Sequence, residues 1–344
     1  MTTTYRVGIS GLVHDHVWGE IDRWLAIPNA QIVAAGDVNA NLRDKIAAKV
    51  PGIRLYATWQ EMIEAERGNL DILQIAAENN VHADMVEAAS GFVKAIITEK
   101  PLAATYAQAK RIATATESAG ISFLVNWPTA WFPAFQELER RLLAGEIGVV
   151  RYFKYRSAHN GPKEIGCDPH FYEWLYDGEK NGAGAYMDYI CYGAAMCARI
   201  LGRPKKVTGL RAVLAKDYPL PDDNAVVTML YDHAMGVAEA SWTQVTGYVG
   251  PNPIAYGSEG ALAVDLKNGQ LHLHRPGKPV EIITPAPTEF PLRSGPEYLI
   301  HCLDTGMKPE GVCSLEVGLI AQEILEAGLR AADTGQTQIL PLES

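Results

Sequence analysis

YRVGISGLVHDH, residues 5–16, decides the fold. Tyr5–Ser10 reads as a mostly apolar strand, and a helical pattern follows over Val17–Ala26. A strand apolar on both faces, running straight into a helix, opens a parallel α/β sheet. The alternation then repeats outward. Strands are expected at Gln31–Gly36, Leu70–Ala76, Lys94–Thr98 and Ile121–Val125. Helices are expected at Asn39–Lys49, Val81–Ser90 and Thr105–Ala119. Strand–helix alternation with short links gives a doubly wound sheet, here a Rossmann domain over residues 1–125.

The pattern changes near Val125–Trp127. Phe132–Ala144 reads as a helix and Val149–Ser157 as a strand, and Pro, Gly and aromatic residues crowd Asn160–Ala185. A helix is expected at Met187–Leu201. Strand-like runs then follow one another at Lys206–Leu214, Ala225–Tyr231, Met235–Trp242, Ile254–Tyr256, Ala261–Leu266 and Gln270–His274. Strands without intervening helices argue for an antiparallel sheet. Helices near Pro296–Thr305 and Leu315–Ala332 complete a second α/β domain over 126–344.

The 344 residues carry a formal net charge of -10, and no basic stripe is visible, which speaks against a nucleic-acid partner. No apolar run reaches the length of a membrane span, and the N-terminus lacks a signal-peptide pattern, so a soluble cytoplasmic protein is expected. Cys167, Cys191, Cys197, Cys302 and Cys313 form no CxxC pair and read as reduced thiols.

The first strand–helix turn, Gly11-Leu12-Val13-His14-Asp15-His16, is where a Rossmann domain receives a pyrophosphate on helix N–H groups. Gly11 stands at the first fingerprint position, while Val13 and His16 replace the second and third glycines. Asp37, ending the second strand, suits the adenosine ribose hydroxyls and repels a 2′-phosphate, which favours NAD over NADP. His14 and His16 offer a His-x-His pair, but no further ligand lies at a recognisable spacing. They read as lining the cofactor loop, with no metal expected.

Later segments resemble the Gfo/Idh/MocA family of oxidoreductases. Asp71–His82 resembles that family's strand and Pro-Asn-x-x-His loop, with Glu78 in place of proline. Thr98-Glu99-Lys100-Pro101 matches its Glu-Lys-Pro motif. Residues 145–148, 182–192 and 257–260 match in order, so the likeness covers nearly the whole chain. The resemblance implies NAD(P) at the sheet edge and a sugar, cyclitol or related polyol above it. It implies an open, mostly antiparallel second sheet that packs against another subunit in a homodimer or homotetramer. It carries over Lys100, Asp188 and the residue four further on toward catalysis; Gly11, Leu12, Val13, His16, Asn79, His82, Glu99 and Lys100 are expected to line the cofactor. Many members have histidine four residues after the aspartate. This chain has Tyr192, as do branches resembling glucose–fructose oxidoreductase and dihydrodiol dehydrogenase.

Asp188 and Tyr192 are four apart on an expected helix and share a face. Removing the proton of a carbinol needs a base within hydrogen-bond reach. Tyr192 serves if Lys100 lowers its pKa; alternatively Lys100 is the base, its own pKa lowered by burial. His159 and Asn160 follow the strand that begins the second domain, and Asp168, His170, Tyr172 and Trp174 form an aromatic, polar loop; His159, Asn160, His170 and Tyr172 are candidate substrate contacts. Trp127 and Trp131 suggest an apolar substrate face. His82 is expected to support the nucleotide loop through Asn79, or else to be satisfied by backbone groups. His272 and His274 read as strand surface. The function expected is an NAD-dependent oxidoreductase of a sugar-like alcohol. Its alternatives are a glycosidase that recycles bound NAD, or a non-catalytic nucleotide- or sugar-binding regulator.

Overall fold

The computed structural model describes residues 4–343. The first sheet is built from β1 (Tyr5–Ser10), β2 (Ala30–Gly36), β3 (Arg54–Tyr56), β4 (Ile72–Ile75), β5 (Ala95–Glu99) and β6 (Ser122–Asn126). Its order is β3-β2-β1-β4-β5-β6, with every pairing parallel. Helices α1 (His16–Leu25), α2 (Ala40–Lys49), α3 (Trp59–Ala65), α4 (His82–Ala89) and α5 (Tyr106–Ala119) make the crossovers. Strands β4 and β5 are buried along their whole length, as strands covered on both faces must be.

The strand order reverses between β1 and β4, which opens a crevice beyond their carboxyl ends. Gly11 occupies that corner with φ +80°. A Cβ there would lie 2.6 Å from the Cβ of Ala77, so only glycine lets the two strand ends approach.

Beyond α6 (Pro133–Leu143) the second sheet begins with β7 (Val150–Ala158). A short helix α7 (Pro169–Leu175), a single turn α8 (Gly178–Asn181) and α9 (Cys191–Leu201) follow; α9 is entered through a π-helical turn at Tyr186–Ile190. The remaining strands are β8 (Lys206–Ala212), β9 (Asn224–Leu230), β10 (Met235–Ser241), β11 (Ile254–Gly257), β12 (Ala261–Asp265), β13 (Gln270–His274) and β14 (Glu281–Ile283). Helices α10 (Gly295–Thr305) and α11 (Leu315–Thr334) and the two-residue β15 (Gln338–Ile339) close the chain. The sheet order is β14-β13-β12-β11-β7-β10-β9-β8-β15, antiparallel except for the parallel pair β7 and β10. One face packs on α9 and α11.

Two features tie the second half to the first. Helix α10 returns to lie on β5, β6 and α1, and Tyr5 Oη donates to Asp304 Oδ1 at 2.8 Å. The stretch Asp168–Trp174, expected from sequence to be an aromatic, polar loop, is instead capped and helical, and lies against the carboxyl ends of the first sheet. Asp168 caps α7 by accepting from the His170 N–H, with Pro169 in the first turn. No helix among the described residues is long and apolar enough to cross a membrane.

Candidate active site

Lys100 follows the end of β5, in line with the crevice. Its Nζ lies 2.5 Å from Asp188 Oδ1, and both residues are buried. Asp188 stands in the π turn before α9, and its Oδ2 accepts from Trp242 Nε1 at 3.3 Å. An extra residue in a helical turn redirects side chains locally, and such turns gather at functional sites. Tyr192, one turn on, lies beside the pair, with the Lys100 ammonium 5.0 Å from its ring centroid. Trp127 and Tyr155 approach that ring edge-on at 5.6 and 6.3 Å. Its hydroxyl has no hydrogen-bond partner among the described residues. Three residues from distant parts of the chain thus converge.

Their protonation differs from the sequence expectation. Lys100 was expected to lower the Tyr192 phenol, but it faces the ring. Burial, then Cys191 and Asp188, push that phenol well above its ordinary value. Burial alone would also lower the Lys100 ammonium, yet the adjacent Asp188 carboxylate outweighs it and holds Lys100 above its ordinary value. The site is therefore set with Lys100 and Tyr192 both carrying their protons.

Behind the pair, Glu99 is fully buried. Its Oε1 accepts from Asn126 Nδ2 at 2.9 Å, and His16 Nδ1 lies 3.0 Å from its Oε2. Register explains the first contact, since Glu99 sits opposite Asn126 across β5 and β6. His14 is buried between His16 at 4.5 Å and Phe171 at 4.7 Å, ring centre to ring centre. Burial pushes its pKa well below the ordinary value. Phe171 belongs to α7, and Trp174 of the same helix lies 5.9 Å from His14. Helix α7 therefore covers the glycine-poor loop, held also by Asp168 N–H donating to Asp15 Oδ2 at 3.0 Å.

The amides of this loop divide into engaged and open donors. Leu12 N–H donates to Asp37 Oδ2 at 2.6 Å, His14 N–H to Ala76 O and His16 N–H to His14 Nδ1. The N–H groups of Val13 and Asp15 have no partner among the described residues and stand in front of α1. Two free donors, the corner at Gly11 and the acid at Asp37 fit a nucleotide pyrophosphate and ribose.

Several expected contacts are engaged elsewhere. Asn79 Nδ2 donates to Asn181 O and Oδ1 at 3.1 and 2.8 Å, which fastens β4 to α8 rather than reaching into the crevice. His82 does not act through Asn79. Its ring nitrogens approach Leu102 O, Thr98 Oγ1 and Ala77 O, so neighbouring protein groups satisfy it and it braces the Lys100–Leu102 turn. His170 lies 2.9 Å from Asn41 at α2, on the far side of the crevice from the Lys100 pair, and Tyr172 stacks near Tyr176. Asn160 offers its backbone carbonyl to Lys216. His159 does approach the pair, meeting Tyr189 edge-on at 4.9 Å, with burial holding its imidazole below the ordinary pKa. Sequence reasoning missed Trp242, Asn126 and Phe171. Only the Asp168-Pro169 start of α7 carried a local signal.

Comparison with known proteins agrees with this architecture. Residues 7–127 match a family model described as an oxidoreductase family, NAD-binding Rossmann fold, and residues 135–263 match the GFO/IDH/MocA C-terminal domain. Over 137 residues the chain is 37% identical to D-apiose dehydrogenase of Paraburkholderia graminis, a match spanning 40% of this chain and 34% of that protein. Over 318 residues it is 24% identical to scyllo-inositol 2-dehydrogenase (NAD(+)) of Bacillus subtilis, spanning 88% and 89%. The crystal structure of aldose-aldose oxidoreductase from Caulobacter crescentus superposes with a TM-score of 0.81 at 20% identity, covering 98% of this chain and all of that one. The chain belongs to the Gfo/Idh/MocA family of oxidoreductases, an NAD-binding Rossmann domain followed by the family's C-terminal domain.

Proposed function

We propose that this protein is an NAD-dependent dehydrogenase or reductase acting on a secondary alcohol of a sugar, cyclitol or related polyol. The buried Lys100–Asp188 pair beside the unpartnered Tyr192 hydroxyl, at the carboxyl end of a parallel sheet, carries this reading. The names of the relatives, an apiose and an inositol dehydrogenase, support the substrate class. Asp37 favours NAD over NADP because its carboxylate would repel a 2′-phosphate.

A bound nicotinamide would accept or deliver the hydride. Gly11, Leu12, Val13, His16 and Asp37 would hold the nucleotide. In carbonyl reduction, Lys100 supplies the proton to the substrate oxygen and Tyr192 holds that oxygen through its hydroxyl. In alcohol oxidation the proton runs the other way, from the carbinol to Lys100 as Asp188 takes the lysine's proton across their short contact. His159 and the rings of Trp127 and Tyr155 offer polar and apolar contacts to the sugar.

A second reading has one specific support. Helix α7 packs on the cofactor loop, so a bound dinucleotide could leave only if that helix lifted. A retained cofactor suits transient oxidation followed by elimination of a glycoside, with no net NADH.

Turnover of a panel of aldoses, inositols and aryl glycosides, followed both by NADH absorbance and by product analysis, separates the two. Lys100→Met is expected to abolish turnover while NADH fluorescence titration still reports binding. Unchanged turnover in that variant overturns the assignment of Lys100.

A further inference from the structure

We propose that His14, His16 and Glu99 form a binding site for a divalent first-row transition cation, Zn²⁺ foremost. One ligand atom from each lies within 4.8 Å of the other two. In a tetrahedral site with bonds near 2.1 Å, donors sit about 3.4 Å apart. The His16–Glu99 edge, at 3.0 Å, already has that scale. Two imidazoles and one carboxylate form a borderline donor set, which selects zinc and its neighbours over calcium or magnesium.

The sequence hid this site because spacing shows only local ligands. His14 and His16 sit at the front of α1, and Glu99 arrives from β5, 83 positions beyond His16. Folding brings it to the histidine pair across the reversal of strand order.

Local charge decides whether a cation is tolerated there. The amino end of α1 and Lys100 oppose it. Lys100 is already matched by Asp188, and Arg23 is matched by Glu20. The unmatched groups are acidic. Glu99 is fully buried, with Asn126 and His16 on its oxygens and the Glu20 carboxyl close enough to repel it, and Asp15 stands beside the histidines. The His16 N–H contact to His14 Nδ1 is long, at 3.3 Å, so that lone pair is loosely engaged. Asn126 holds Glu99 from behind, the arrangement that orients a metal-binding carboxylate. Phe171 and Trp174 cover His14 and keep bulk water back. A fourth position stays open to water or, on the dinucleotide reading above, to a phosphate oxygen that the engaged loop amides cannot hold.

The test uses the full chain, stripped with chelator and free of nucleotide, so its outcome does not depend on the dehydrogenase reading. Zn²⁺ calorimetry is expected to give one site per chain, and Co²⁺ the visible d–d bands of a low-coordinate N/O site. His14→Ala and Glu99→Gln should each weaken binding by at least about tenfold. His16→Ala changes a partly exposed side chain and serves as the variant that keeps its fold, checked by circular dichroism. Absence of stoichiometric binding to the wild type, or binding unchanged in His16→Ala, overturns the proposal.

Discussion

Lys100 and Asp188 come from opposite halves of the chain, yet their charged atoms meet at 2.5 Å in a region closed to bulk water. Removing one partner leaves a lone buried charge. Asp188→Asn is therefore expected to destabilise the fold by about 3–5 kcal/mol. The paired replacement Lys100→Met with Asp188→Leu should recover most of that loss, though not activity. Urea unfolding of the three proteins measures both effects, and a double variant no more stable than Asp188→Asn would show that the pair is not the source.

Glu20 is easier to protonate in the folded chain than in the unfolded one. Burial, then repulsion from Glu99, raise its pKa from 4.5 to about 7, against the opposing pull of Arg23. Because the folded value lies above the unfolded one, this group's stabilising contribution is complete below pH 4.5 and is lost as pH rises to about 7. Glu20→Gln should unfold like the wild type at pH 4 and become the more stable protein at pH 8, by at most about 3 kcal/mol. Thermal melts across that range read the crossing, and parallel curves would refute the assignment.

Gly11→Ala places a methyl 2.6 Å from the Ala77 Cβ at a backbone angle of φ +80°. Strain of about 1–3 kcal/mol is expected, with the overlap in addition. Loss of NADH binding should exceed loss of folding, because the corner shapes the anion-binding turn. Fluorescence titration beside a melting curve separates them; equal affinity in the variant would exclude this corner from the site.

A row of apolar residues crosses the open face of the second sheet. Tyr256 pairs with Tyr152, Tyr152 with Met235 and Met235 with Leu230, and Tyr256, Met235 and Leu230 are 51%, 42% and 43% exposed. We propose that a second copy covers this row. Light scattering should find a dimer or tetramer, and Tyr256→Lys with Met235→Lys should yield a monomer. A monomeric wild type would contradict the assignment.

Long elements were legible because their apolar spacing is periodic. Strand β1, helix α5 and the strand run of the second sheet stand out in this way. Arg54–Tyr56 and Trp59–Ala65 were not seen, being short and partly exposed, with too few turns to establish a period. Helix α7 reads as a loop in the sequence because it has only seven residues amid Pro and Gly. The convergence of Lys100, Asp188 and Tyr192 came through resemblance, not spacing. Their protonation could not be read at all, since it depends on burial and on which neighbour each charge faces. The contacts of Asn79, His82 and Glu99 were lost for the same reason: each is completed by a residue distant in sequence.

Helix α10 has a mechanical consequence. Gly295 leaves room for no side chain against Asn126, and Asp304 accepts from Tyr5 near the start of the chain. Helix α10 thus clasps the first strand. A cut near residue 126 would strip this cover from β5 and β6, leaving neither half with a finished core. Heat or urea should then melt the protein in one cooperative step, and a calorimetric trace with a single peak would be the mark of that clasp.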